Sequence, residues 1–208
     1  MAVMRWAGLF FISLFIAHTP LSYAESLSPL ETLKGPINQI VAILNDPGYK
    51  TQGQKSIQRD KIWEVVRPLF DFTEISRRTI GENWTKFSKE EQTRFTNVFS
   101  EFLGNTYIDK MQGEYHNEKI VFLSELVRGP IALARTKLKR ESLEIPIDYR
   151  MKQEDGIWKV YDILVENGVS LVKNYRVQFK SILQKETPAQ LIERLEKKLT
   201  DQQQTPTT

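Results

Sequence analysis

The chain has 208 residues, with 29 Lys and Arg against 26 Asp and Glu, two His and no Cys. A net charge of +3 with both signs interspersed is too mild to mark a nucleic-acid surface. The missing cysteine excludes disulfides, a thiol nucleophile and the acylated Cys of a bacterial lipoprotein, so a domain of this length must rely on core burial alone.

The first segment reads as an export signal. Arg5 supplies a positive n-region, and Trp6 to Ala17 forms an apolar run of about a dozen residues, too short to span a bilayer comfortably. Pro20 breaks the run, and Ser22-Tyr23-Ala24 suits cleavage after Ala24. Residues 1–24 are therefore expected to be a signal peptide, so that the mature protein starts near Glu25 and is exported. Its removal takes away Arg5 and His18, so the mature chain keeps His116 as its one histidine. His116 sits in the polar patch Gly113 to Glu118, where a helix C-terminus suits a surface His. No GxxxxGK[ST], GxGxxG or HExxH pattern is present, so no metal, cofactor or catalytic constellation is expected.

Helix starts are well marked. Ser28-Pro29-Leu30-Glu31 offers an N-cap, Pro at the first helical position and an acid three residues on. Ser88 with Glu91, Thr187 with Gln190, and Asp71 with Glu74 repeat the capping-box pattern. The first helix should run from Pro29 to about Leu44, with Leu30, Leu33, Ile37, Ile40, Val41 and Leu44 on one stripe. A second should run from about Gln54 to Pro68, with Ile57, Ile62, Val65 and Val66 inward. A short helix over Phe72–Ile80 ends at Gly81. The longest runs from Lys89 to about Tyr115, with Gly104 inside it as a bend or a point of close approach.

The period then changes from 3.6 to 2. Four strands are expected at Lys119–Val127, Ile131–Lys139, Leu143–Lys152 and Ile157–Val165, joined by hairpin-length connections. In the third, Leu143, Ile145, Ile147, Tyr149 and Met151 share one face, and Pro146 on the other face favours an edge position or a bulge. After the Glu166-Asn167-Gly168 turn the helical period returns, with Val172, Tyr175, Phe179, Ile182 and Leu183 on one stripe. A last helix opens at Thr187 and carries Leu191, Ile192, Leu195 and Leu199, and residues 201–208 read as a polar, disordered tail. The fold class is α+β: one domain over residues 25–200, an antiparallel four-stranded meander covered by helices from before and after it. The aromatic stripes fit either a solid core or the wall of an apolar cavity. Simple alternation puts Asp162 on the face of Trp158, Val160 and Leu164, where a buried carboxylate needs a partner, and Arg176 is the candidate.

One stretch carries a resemblance. Trp158, Val160, Tyr161 and Asp162, then Gly168, Val169 and Ser170, then Asn174, Tyr175, Arg176 and Phe179 form a pattern similar to that of the MlaC-type periplasmic phospholipid-binding proteins, the toluene-tolerance family. Phe70-Asp71-Phe72, Ile80 to Trp84 and the Ser88–Tyr107 helix also resemble the family. The resemblance implies a carrier without catalytic chemistry. Such a carrier holds phospholipid acyl chains in an apolar pocket. It moves them, in a direction the residues do not give, between an outer-membrane lipoprotein–porin complex and the MCE-domain protein of an inner-membrane ABC transporter. On this reading the protein is a monomer, and the pocket is lined by Phe102, Tyr107, Met111, Tyr149, Tyr161, Val165, Val169, Val172, Tyr175 and Phe179. Three other readings stay open. They are a hopanoid carrier of the same family, a periplasmic adaptor with a solid core, and an α+β hydrolase or isomerase using Asp162 and a tyrosine.

Overall fold

The computed structural model describes residues 27–204 apart from Ser142 and Asn167. The expected signal peptide and the last four residues lie outside the described residues. The chain order is α1 (Pro29–Asn45), α2 (Lys55–Val66), α3 (Phe72–Ile80), α4 (Lys89–Glu114), β1 (Lys119–Arg128), β2 (Ile131–Arg140), β3 (Leu143–Glu154), β4 (Ile157–Val165), β5 (Val169–Ser170), α5 (Leu171–Ile182) and α6 (Pro188–Gln204). Short 3-10 turns link α1 to α2, α2 to α3, and α3 to α4.

The caps place the helix starts. Ser88 Oγ accepts from Glu91 N, and the Glu91 carboxylate accepts from Ser88 N in return. Thr187 and Gln190 make the same exchange. Asp71 caps α3 by accepting from Glu74 N at 2.9 Å, but the box is half made. The Asp71 N–H is taken by the Val160 carbonyl, so the Glu74 carboxylate turns to Arg77 and Arg78 instead. Helix α6 continues through Asp201–Gln204, four residues into the stretch read as a tail.

The sheet is antiparallel and has five strands in the order β1-β2-β3-β4-β5, one more than the four expected. The extra strand is only Val169–Ser170, pairing with Val165 and Leu164, too short to leave an alternation in the sequence. Pro146 lies inside β3, but β4 ends opposite Ile147. The Pro146 carbonyl faces that finished side, where it accepts from Glu166 N at 3.1 Å. Its missing N–H therefore costs no ladder bond. The β3–β4 hairpin turns on Asp155 and Gly156, both at positive φ, as a two-residue turn of this kind requires.

Two packed cores result. One lies between the sheet and α1 and contains Leu33, Ile37, Leu69, Ala132, Ala134, Met151, Trp158 and Val160. The other gathers α3 to α6 around Phe95, Phe99, Leu103, Val172, Phe179, Leu191, Ile192 and Leu195. Phe70 packs against both. Ile57, expected inward, is exposed. Helix α2 instead buries Gln58 beside Ile62, because Gln58 finds polar partners: it donates to the Ile43 carbonyl at 2.8 Å and accepts from Gln112 at 2.9 Å.

Candidate functional site: an apolar sheet face between two cores

Directly opposed residues of a ladder share a face. Ala132, Ala134, Thr136 and Leu138 on β2 oppose Met151, Tyr149, Ile147 and Ile145 on β3. Tyr149 and Ile147 in turn oppose Ile163 and Val165 on β4. This is one continuous face, almost wholly apolar. The packed core under α1 covers one end of it, where Ala132, Ala134 and Met151 are buried. At the other end Leu138, Ile145 and Ile147 are half-buried and Val165 is exposed, and none of the four belongs to either core. The apolar face thus runs on past the point where helices pack it.

Tyr149 stands where the two regimes meet. It is partly buried against the sheet core beside Thr136, whose Oγ1 donates to the Ile147 carbonyl at 2.9 Å. Burial pushes the Tyr149 phenol up to about 12, so it stays neutral. On the helical side the Tyr107 phenol on α4 and the Tyr175 phenol on α5 lie close enough to influence each other, and burial raises both. Helix α4 is held against α2 by a close approach. A Cβ at Gly104 would meet the Trp63 ring at 2.7 Å, so only glycine admits that ring. Trp63 lies 5.5 Å from Phe72, which in turn lies 5.7 Å from Phe70.

The ten residues read from the sequence as pocket lining divide into three groups. Tyr161, Val172 and Phe179 are buried members of the helical core. Phe102 and Tyr175 are half-buried against that core with rings 6.2 Å apart, and Tyr149 is half-buried against the sheet core. Met111 is half-buried outside both cores, while Tyr107, Val165 and Val169 are exposed. Missed by the sequence reading were Leu138, Ile145, Ile147 and the Trp63–Phe72 pair. The signal for Ile145 and Ile147 was present, since they share the alternation that singled out Tyr149. A hollow of about 560 Å³ between α1 and α2 and another of about 580 Å³ around His116 lie elsewhere, and none of the ten lines either.

Asp162 is buried and fully engaged, with partners other than the expected Arg176. Its Oδ2 accepts from Arg150 at 3.0 Å and from Ser170 Oγ at 2.7 Å, and its Oδ1 accepts from Val172 N at 3.1 Å. The difference has a physical cause. Met151 opposes Val160 but Arg150 opposes Asp162, so Tyr161 is an extra residue in β4. This β-bulge turns Asp162 away from the face of Trp158 and Val160, puts it opposite Arg150, and sends Tyr161 into the helical core beneath Arg78, 4.1 Å above its ring. Arg176 is exposed and donates to the Arg78 carbonyl at 2.6 Å.

Among the described residues no group of three His, Cys, Asp or Glu could hold a metal ion, and no helix is long and apolar enough to cross a membrane.

Comparison with known proteins bears on the fold and the family. The family model described as MlaC protein matches residues 34–197. A phospholipid-binding protein from Ralstonia solanacearum, solved in complex with a phospholipid, superposes with a TM-score of 0.72 at 20% identity, covering 86% of this chain and 100% of its own. No curated protein matches the chain.

Proposed function

The chain belongs to the MlaC family, and we propose that it is a periplasmic phospholipid carrier whose acyl-chain site is the open part of the apolar sheet face. The observation that carries this reading is the run Leu138, Ile145, Ile147 and Val165, an apolar surface continuous with a packed core yet outside it. A face of this kind is costly in water unless something apolar covers it. The Ralstonia solanacearum relative, of the same fold, is seen with a phospholipid.

Acyl chains suit the task. Each buried methylene is worth about 0.8 kcal/mol relative to water, and a bilayer offers the same shielding. Exchange between a membrane and the protein is therefore close to balanced and needs no nucleotide site, so direction comes from partners. On this reading the lipid enters between the sheet face and the α4–α5 pair, with Tyr107 and Tyr175 at its edge and the cleft closed down when empty. Export by residues 1–24 places the carrier in the periplasm. There it would exchange lipid with an outer-membrane lipoprotein–porin complex and with the MCE-domain protein of an ABC transporter.

A phospholipid with a photoreactive group at the end of an acyl chain tests the site. Its label is expected on the Ile145–Tyr149 segment and on α4 near Tyr107 and Met111. Label confined to the opposite sheet face, around Arg135 and Lys137, would contradict the proposal.

A further inference from the structure

The opposite face of the sheet bears a second pattern, independent of the lipid site. Leu126 opposes Leu133, and Ile131 opposes Lys152, so Leu126, Leu133 and Ile131 form one apolar patch across β1 and β2. Leu126 and Ile131 are 45% and 47% exposed. Arg128, which opposes Ile131, Arg135, Arg150 and Lys152 surround the patch on three strands. Lys152 further opposes Lys159, and like charges directly opposed weaken a sheet. Carboxylates face this surface as well: Asp148 stands 3.9 Å from Arg135, Glu144 holds Lys137 and Lys139, Glu154 holds Lys152, the buried Asp162 holds Arg150, and Glu74 on α3 with the α3 cap Asp71 lies near Lys152, while Arg128 and Lys159 stand outside these pairs.

We propose that this face docks the protein on an anionic phospholipid bilayer. An apolar centre ringed by Arg and Lys is the composition of an interfacial membrane contact: cations meet anionic headgroups while short apolar side chains enter the boundary region. The shape fits as well. Strands of ten and twelve residues make a broad face roughly 30 Å long, with cations spread over three strands rather than gathered about one acidic pocket. An acidic protein surface is the rival occupant.

Co-sedimentation of the purified protein with phosphatidylcholine vesicles, with and without phosphatidylglycerol, tests the proposal. Binding is expected only with phosphatidylglycerol, and it should weaken as salt rises. The double variant Arg128→Glu with Lys152→Glu should bind roughly tenfold more weakly or worse. Leu126→Ser with Ile131→Ser should also lose binding. The charge-matched control is Lys197→Glu with Lys198→Glu on the exposed side of α6, which should bind as the parent does. Circular dichroism melts confirm that each variant folds. Absence of parent binding to phosphatidylglycerol vesicles overturns the proposal, and so does an equal loss in the α6 control. Retention of the parent by an acidic protein but not by vesicles assigns the face to that rival.

Discussion

Asp162 Oδ2 accepts a hydrogen bond from Ser170 Oγ at 2.7 Å, and the same Ser170 Oγ accepts from Lys173 N to cap α5. The last strand of the meander and the first turn of the following helix are thus fastened at one atom. With Val172 N also donating to Asp162, the carboxylate sits at a helix N-terminus, where the backbone dipole favours negative charge.

Asp162→Ala removes three hydrogen bonds from a buried group and leaves Ser170 and Val172 N without their partner. We expect a loss of about 3 kcal/mol in chemical denaturation. A double-mutant cycle should give coupling of Asp162 to Arg150 and none to Arg176, whose guanidinium serves the Arg78 carbonyl. Coupling to Arg176 as large as that to Arg150 would rule the arrangement out.

Gly104→Ala sets two effects against each other. Alanine favours a helix interior over glycine by about 1 kcal/mol. A Cβ 2.7 Å from the Trp63 ring forces that ring to move, and overpacking of this kind costs about 1–3 kcal/mol. Net destabilisation is expected, with a shift in tryptophan fluorescence. A more stable variant with an unchanged spectrum would show that the ring has room.

Glu74 should govern part of the acid limb. The hydrogen bond from Arg77 holds its carboxyl down, from 4.5 to about 2, against the opposing effect of burial. Because the folded value lies below the unfolded one, its contribution is complete above about pH 4.5 and is lost as the pH falls toward 2. The contribution is about 3 kcal/mol at most. Glu74→Gln should lower stability at neutral pH and flatten the profile between pH 4.5 and 2. Parallel profiles for parent and variant would remove Glu74 from the account.

The division between core and open face yields a contrast. Phe179→Ala cuts into the helical core and should cost about 3–5 kcal/mol. Ile147→Glu places a charge on the uncovered apolar face, so it should abolish lipid retention while moving the melting temperature little. If Ile147→Glu melts as early as Phe179→Ala, Ile147 is core and the site has been placed wrongly.

Much of this was legible in the residues. The alternation of β3 set Tyr149, Ile147 and Ile145 on one face, and the Ser88–Glu91 box placed the start of the long helix. The bulge at Tyr161 left no sign, since no glycine or proline marks it and Trp158, Val160, Asp162 and Leu164 alternate without a break. That one residue misplaced Asp162 and with it the expected Arg176 partner, because which arginine stands across a ladder depends on register, not on distance in sequence. The split of the aromatic stripe was equally hidden. Phe179 and Tyr107 are alike in composition and period, yet one is enclosed by α3 to α6 and the other is exposed.

Whether the open apolar face holds a phospholipid is decided by native mass spectrometry of the protein purified from bacterial cells without detergent. The expected mass exceeds that of the bare chain by one phospholipid, an excess lost in Ile147→Glu and kept in Asp162→Ala, with the extracted lipid identified as a glycerophospholipid. The bare mass alone, or an adduct equally present in Ile147→Glu, would contradict it.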